Sequence, residues 1–447
     1  MKNFIKIDTL MVREINQMAI PMLFNSVIGM LIGLIDMAMI GRISLEAFGA
    51  VGLISSTINS ITGVLGAISI AFNIAGARCK GQGNPCGLRD IFLTGSYLAW
   101  IIGLAFWVVC LYFGTPLLQY GYGLKGNILK ESVNYLHVFS LSVGLNMLLF
   151  MHSALFKILN KTRYLFIGNI TATITNVILN YILIFGKFGI EPMGVKGAGI
   201  GSVIALTLNL IIYVMIVQRH QFVSYGILSI KKFVAVGRVL INDSFPLMGQ
   251  EVLESTILVV CINAILSRIG VLEVSIYTFL LGMMNILLMP MYAYASTSLT
   301  FVSEHRGKRD YSKIMHIPRC ALRLALRWCL SLGIGIWIFK YPLAHGLTND
   351  TDLITHGINY LLMAIITYIC TIPNTIYKYS LQGIGQEKWV FLNGMVINIL
   401  GILLIYTLSN LINWGMLGVY MGLCVTYIVL SVRHYRRYHH SMMAFKY

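Results

Sequence analysis

The chain has 447 residues, of which 57% are hydrophobic and only 11% charged, with a mean hydropathy of +0.78. A soluble domain carries about 25% charged residues, so a water-soluble globular fold is excluded. The formal net charge of +17 does not point to nucleic acid, because the basic residues lie in short links between apolar runs.

Runs long enough to cross a bilayer, about 20 residues each, recur from end to end. They predict twelve spans near 15–40, 47–76, 90–113, 131–156, 163–185, 197–217, 239–266, 274–300, 318–339, 354–380, 388–408 and 415–433. The segment before the first run, "MKNFIKIDTLMVREINQ", offers no small-residue cleavage site, so no removable signal peptide is expected. With the N-terminus inside, only Arg42, Lys125, Lys130, Lys187, Lys196, Arg268 and Lys340 of the 33 basic residues fall on the outer side. That bias predicts both termini in the cytoplasm of a cell membrane, the bacterial plasma membrane. The tail "RHYRRYHH" (433–440) then reads as a lipid headgroup contact.

The first span carries one carboxylate, Asp36, in "GLIDMAMIG" (33–41), about five residues before its outer end. Such a group costs roughly 2.5–3.5 kcal/mol on insertion scales and needs compensation. The fifth span also runs outward and holds "TITNVILN" (173–180), which puts Asn176 and Asn180 on one face. At about 1.5 Å per residue, Asn180 matches the depth of Asp36 to within a few Å. The sixth span opens with "GVKGAGIGS" (194–202) and brings Ser202 to a similar level. One carboxylate with amide and hydroxyl oxygens offers a cage for a small hard cation such as Na⁺, or a carboxyl able to take a proton. The same residues can also simply tie helices together.

After a link near 218–238, the seventh span, "FPLMGQEVLESTILVV" (245–260), carries Glu251 and Glu254 three residues apart on one face. Either could meet a cationic substrate or a proton. Pro21 and Pro246 interrupt their spans and are expected hinges, since each ring removes an N–H from the helix ladder. His152 is expected to be a satisfied bundle histidine, and Lys378, near a cytoplasmic helix end, to snorkel toward water.

Shifted by 225, "VNYLHVFSLS" (133–142) meets "INYLLMAIIT" (358–367), "TRYLFIGN" meets "EKWVFLNG", and Pro21 meets Pro246. A shift of 221 pairs "GVKGAGIG" (194–201) with "GMLGVYMG" (415–422). The chain therefore reads as two six-helix lobes, 1–220 and 221–447, in parallel orientation about an axis along the membrane normal. Such repeats commonly enclose a midplane site and alternate its access by rocking. The second lobe does not repeat Asp36, whose counterpart is Cys261. The fold class is an all-α polytopic membrane protein. No GxSxG, HExxH or Walker A motif is present, so an enzyme is not expected, nor a cofactor beyond a coupling ion.

"AIPMLFNSVIGMLIGLIDMAMIGRISLEAFGAVGL" (19–53) resembles the first-span signature of the multidrug and toxic compound extrusion (MATE) transporters. "TNVILNYILIFGKFGIEPMGVKGAGIGS" (175–202) resembles that family's fifth-to-sixth span segment, and "LFKILNKTRY" and "LQGIGQEKWV" its links after spans four and ten. The resemblance implies two V-shaped lobes exporting bulky, often cationic compounds against inward Na⁺ or H⁺. It makes Asp36 the coupling carboxylate, with Asn176, Asn180 and Ser202 at matched positions, and Glu254 the seventh-span glutamate of a NorM-like branch. The tenth-span aspartate of that branch is missing; Thr371 stands near its place. The expected activity is antiport of small organic molecules by a monomer in the bilayer, without nucleic acid. The rival is a lipid-linked oligosaccharide or lipid flippase of the same superfamily, which would need a strongly cationic cavity.

Overall fold

A computed structural model describes residues 2–348 and 350–444, leaving aside the side chains of 2–8 and 444. Among these residues the chain forms helices α1 (Lys2–Ile40), α2 (Leu45–Gly81), α3 (Pro85–Pro116), α4 (Gly126–Phe139), α5 (Ser142–Ile158), α6 (Arg163–Phe185), α7 (Gly194–Arg219) and α8 (Ile230–Glu251). They are followed by α9 (Leu258–Ser267), α10 (Val271–Lys308), α11 (Tyr311–Ile338), α12 (Lys340–Leu347), α13 (Thr351–Gly383), α14 (Glu387–Tyr406) and α15 (Gly415–Ala444). Among the described residues, twelve helical stretches are long and apolar enough to cross a membrane, and they follow the expected spans in order.

The expected boundaries fall short where helices run on into water. The second span reaches Gly81 and the ninth begins at Tyr311, because "GARCKG" and "YSKIMH" are polar enough to leave hydrocarbon yet still helical. Side chains close several of these ends. Asn84 caps α3 through Gly87 N (2.8 Å) with Pro85 at the first helical position, and Asp350 caps α13 through Asp352 N and Leu353 N (3.0 and 3.1 Å). The fourth span, expected to be continuous, breaks at Ser140 and Leu141 between α4 and α5. Near the break, Trp107 Nε1 donates to the carbonyl of His137 (3.1 Å). A π-helical turn, Val252–Ile257, joins α8 to α9 within the seventh span.

The chain divides into two compact units. The N-terminal unit comprises Phe24–Gly76 and Asn84–Met248; the C-terminal unit comprises Met1–Leu23, Ala77–Gly83 and Gly249–Tyr447. In the N-terminal unit, α3 and α5 meet backbone to backbone, so that a Cβ built on Gly103 would strike the Cα of Gly144. The core of the C-terminal unit forms where α10, α13 and α15 pack, around Leu287, Tyr294, Ile372 and Tyr420. Polar groups within it are matched, as in the Ser298–Ser380 hydroxyl pair at 2.8 Å.

The repeated glycines do the same work in both units. Gly197 lies on the backbone of Leu183 and Ile184, and Gly418 on that of Leu408 and Ser409. One turn on, Gly201 faces Asn180 and Gly422 faces Ile405. The glycine pattern that opens spans six and twelve is thus a close-packing device, as its small-residue spacing implies.

Gly103→Val is expected to destabilise the protein by about 1–3 kcal/mol through overpacking. Gly335→Ala should be neutral or slightly stabilising, because nothing lies within 4 Å of its added methyl. Thermal unfolding of the detergent-purified variants checks the contrast.

Candidate functional site

Asp36 lies one turn before the end of α1 and is half-buried. The tight α6–α7 hairpin supplies its partners. Gly186, with φ of 66°, ends α6 in the left-handed conformation that glycine tolerates, and α7 then runs back along α6. Asn180 Nδ2 donates to Asp36 Oδ1 at 2.8 Å and also reaches Asn176 Oδ1 at 3.3 Å. Asn176 Nδ2 in turn donates to Ser202 Oγ at 3.1 Å. The structure therefore joins all four residues of the sequence-derived set into one chain of hydrogen bonds across three helices. Asn176 and Asn180 are buried, and the amide oxygen of Asn180 lies against Gly201, where any side chain would displace it.

A cavity of 210 Å³ opens beside this chain, lined also by Ser55, Asn59, Tyr135 and Ala198. Tyr135 Oη and Ser55 Oγ are 3.1 Å apart. These residues escape sequence reasoning because each is neutral and common in membrane helices. Asn59, in the apolar run of the second span, is the one that its polarity could have flagged. No Lys or Arg lines the cavity. The single negative charge of Asp36 is thus met there by neutral amide and hydroxyl groups, a setting that leaves it able to hold a cation or a proton.

The C-terminal unit holds a second cavity, of 280 Å³, lined by Glu251, Glu254, Thr371, Asn374, Thr375, Lys378 and several tyrosines. Both glutamates expected on one face of the seventh span do share it, although the π-turn intervenes. Lys378 corrects its expected role. It does not snorkel; it is buried, and its Nζ lies 2.6 Å from Glu254 Oε2. The distance from Lys378 to its helix end at Gly383 suggested access to water, but packing of α13 against α10 and α15 closes that route. Gln250 Nε2 donates to Glu254 Oε1 at 3.0 Å, and Ser255 Oγ to Glu251 Oε1 at 2.6 Å. His152 is satisfied as expected, with Nδ1 2.8 Å from the Leu148 carbonyl and Nε2 3.0 Å from Tyr225 Oη.

Pro21 and Pro246 lie inside α1 and α8, and the chain passes from one compact unit to the other two residues beyond each, after Leu23 and after Met248. A second polar cluster in the N-terminal unit links Asn25, Asn169 and Asn209, with Asn209 Nδ2 2.5 Å from Asn169 Oδ1.

The family model described as MatE matches the chain twice, over residues 21–182 and 246–407, an offset of 225 at both ends. The internal repeat is thus two copies of one family domain. A probable multidrug resistance protein NorM from Thermotoga maritima is 24% identical over 431 residues, covering 94% of this chain and 90% of that protein. One from Neisseria meningitidis serogroup B is 23% identical over 427 residues, covering 94% and 92%. Among solved structures, an outward-facing multidrug resistance MATE family transporter of the MOP superfamily superposes with a TM-score of 0.86 at 18% identity, covering 98% of this chain and 97% of that one. The Vibrio cholerae MATE transporter VcmN in its bent form does so with a TM-score of 0.86 at 19% identity, covering 98% of each chain.

Gly201→Ala should displace the Asn180 amide and cost about 1.5–3 kcal/mol, the range for a hydrogen bond to a charged group. Gly199→Ala, whose methyl meets neighbours at 3.4 Å, should cost less than about 1 kcal/mol. Equilibrium unfolding in denaturing detergent separates the two.

Proposed function

The chain belongs to the MatE family, membrane transporters and not enzymes, and on that premise we propose that it is a cation-coupled antiporter exporting small organic molecules. The observation that carries the proposal is the hydrogen-bonded chain Asp36–Asn180–Asn176–Ser202 beside a cavity free of Lys and Arg. The Asn180 amide donates to the carboxylate, so its negative charge is held in place by neutral groups. An inward-moving Na⁺ or H⁺ is then the species that balances it. The curated relatives named as multidrug resistance proteins support drugs as the exported class.

Uptake of the ion at Asp36 draws oxygen ligands from α6 and α7 toward α1. Without an N–H at position 21, the ladder of α1 is weakest one turn back from Pro21, and the helix reshapes there. Pro246 places the same weakness in α8. The passage of the chain from one compact unit to the other two residues past each proline supports both as hinges. The substrate is small, organic and cationic or amphipathic, and the cavity of the C-terminal unit offers it Glu251 and Glu254, the latter already paired. The protein works as a monomer in a bacterial plasma membrane with both termini in the cytoplasm. The distribution of its basic residues supports that orientation. The two cavities, lined by three acids and one lysine, do not favour a pyrophosphate ligand and hence a flippase.

Asp36→Asn in proteoliposomes should lower gradient-driven counterflow of an organic cation dye by roughly tenfold or more, the factor that about 1.4 kcal/mol of lost ion binding produces. Undiminished efflux from correctly inserted protein would overturn the coupling role. Imposing a Na⁺ gradient at equal pH, and a pH gradient without Na⁺, identifies the ion as whichever one drives efflux.

A further inference from the structure

Glu254 is an acid in a membrane-spanning helix, and both of its carboxylate oxygens are already engaged. Oε2 meets the ammonium of Lys378 at 2.6 Å, and Oε1 accepts from Gln250 at 3.0 Å. Gln250 is held in turn by Gln382, whose Nε2 donates to its Oε1 at 2.9 Å. Lys378 comes from α13, 124 residues away in sequence, and only 9% of its side chain is exposed. Around the pair, Thr371, Thr375 and Asn398 line the cavity with neutral hydroxyl and amide groups. This is the donor set that, with a carboxylate, solvates a small hard cation. The cavity thus has the ligands of an alkali-ion site, with an ammonium seated on its acid.

We propose that Lys378 is a tethered cation that occupies, from within the chain, the position on Glu254 that a diffusible alkali ion would otherwise take, so that Glu254 exchanges no ion. A carboxylate in a membrane-spanning helix has to be compensated, and removing its partner leaves a charge that nothing within the chain balances. A lysine stem supplies that charge intramolecularly, and its effective concentration does not depend on the ion content of either compartment. The ammonium also cannot leave, so it carries no charge across the membrane. Asp36 differs on each count. Its hydrogen-bond partner is a neutral amide, its cavity has no Lys or Arg, and its balancing charge has to come from solution. The other charged group of the second cavity, Glu251, accepts from Ser255 and does not compete for the ammonium. His434 is engaged with Asn374, its Nδ1 2.7 Å from the amide oxygen.

Cutting the tether should open the site. Lys378→Met removes the charge while keeping an unbranched chain, leaving Glu254 to recruit an ion from solution. Sodium bound per molecule is counted with ²²Na⁺ on the purified full chain at pH 8, in reconstituted nanodiscs. The expected result is one more Na⁺ bound by Lys378→Met than by wild type, and none more by the double variant Glu254→Gln/Lys378→Met. The melting temperature of Lys378→Met should rise when N-methyl-D-glucamine is replaced by Na⁺ at constant ionic strength, and that of the double variant should not gain this increment. No extra ion in Lys378→Met overturns the proposal. So does a loss of one ion between wild type and the double variant, since Glu254 would then bind Na⁺ with the lysine in place. That second comparison involves no unpaired charge and keeps the test decisive if Lys378→Met fails to fold. Repeating the counts with Asp36→Asn separates a failure here from a failure of the coupling role assigned to Asp36.

Discussion

A carboxylate within a membrane-spanning helix must be compensated by groups that the chain itself brings to it, and both cavities are organised by that demand. Asp36 has no polar neighbour within four residues, and Glu254, though Gln250 and Ser255 stand beside it, has no cation near it in sequence, so each draws on distant helices. For Asp36 the partners come from α6 and α7, the nearest of them 144 residues on, as a relay of amides and a hydroxyl. For Glu254 the partner is an ammonium on α13, with an amide relay from Gln250 and Gln382 behind it. Beside Asp36, α6 and α7 approach closely because glycine stands at their crossing. Gly201 leaves the space that Asn180 fills, so removing a side chain on one helix is what permits a polar one on the next.

The repeat separates scaffold from chemistry. Gly197 and Gly201 are answered by Gly418 and Gly422, and Pro21 by Pro246, so packing and chain reversal are duplicated. The polar residues are not. At the repeat offset of 225, Asn180 corresponds to Ile405 and Asp36 to Cys261. The second unit has built its acid elsewhere, on the seventh span beside a π-turn. A π-turn holds one residue more than an α-turn and rotates the helix beyond it, and such insertions are frequent at functional sites. Here it lies between Glu251 and the end of the span, yet Glu251 and Glu254 share one cavity.

Most of the architecture was readable from the chain, and the site partly so, for definite reasons. Apolar length predicts spans because lipid forces every backbone bond into the helix, leaving few alternatives. Asp36, Asn176, Asn180 and Ser202 were legible together because helical spacing and depth from the membrane surface are both countable along a sequence. Ser55, Asn59 and Tyr135 were not, since their importance lies in which helix faces α1, and a neutral side chain leaves no imbalance to detect. The break in the fourth span was hidden too. Ser140 and Leu141 carry no Gly or Pro signal, and the interruption is visible only with the Trp107 indole beside it. Lys378 was misread because proximity to a helix end is a one-dimensional measure, whereas burial there depends on three helices meeting.

The role proposed for Lys378 would separate a count of intramembrane acids from a count of exchangeable ions. An acid surrounded by neutral donors is held in place as an anion but stays unbalanced, so an ion from solution can balance it. An acid in contact with a lysine is balanced at all times, and an ion can enter only by displacing that ammonium. The two arrangements answer the same desolvation cost, yet only the first can report an ion gradient to the helices around it. In a protein built by duplication, one lysine on α13 is thus the difference between an acid met by a cation of the chain and an acid met by neutral groups alone.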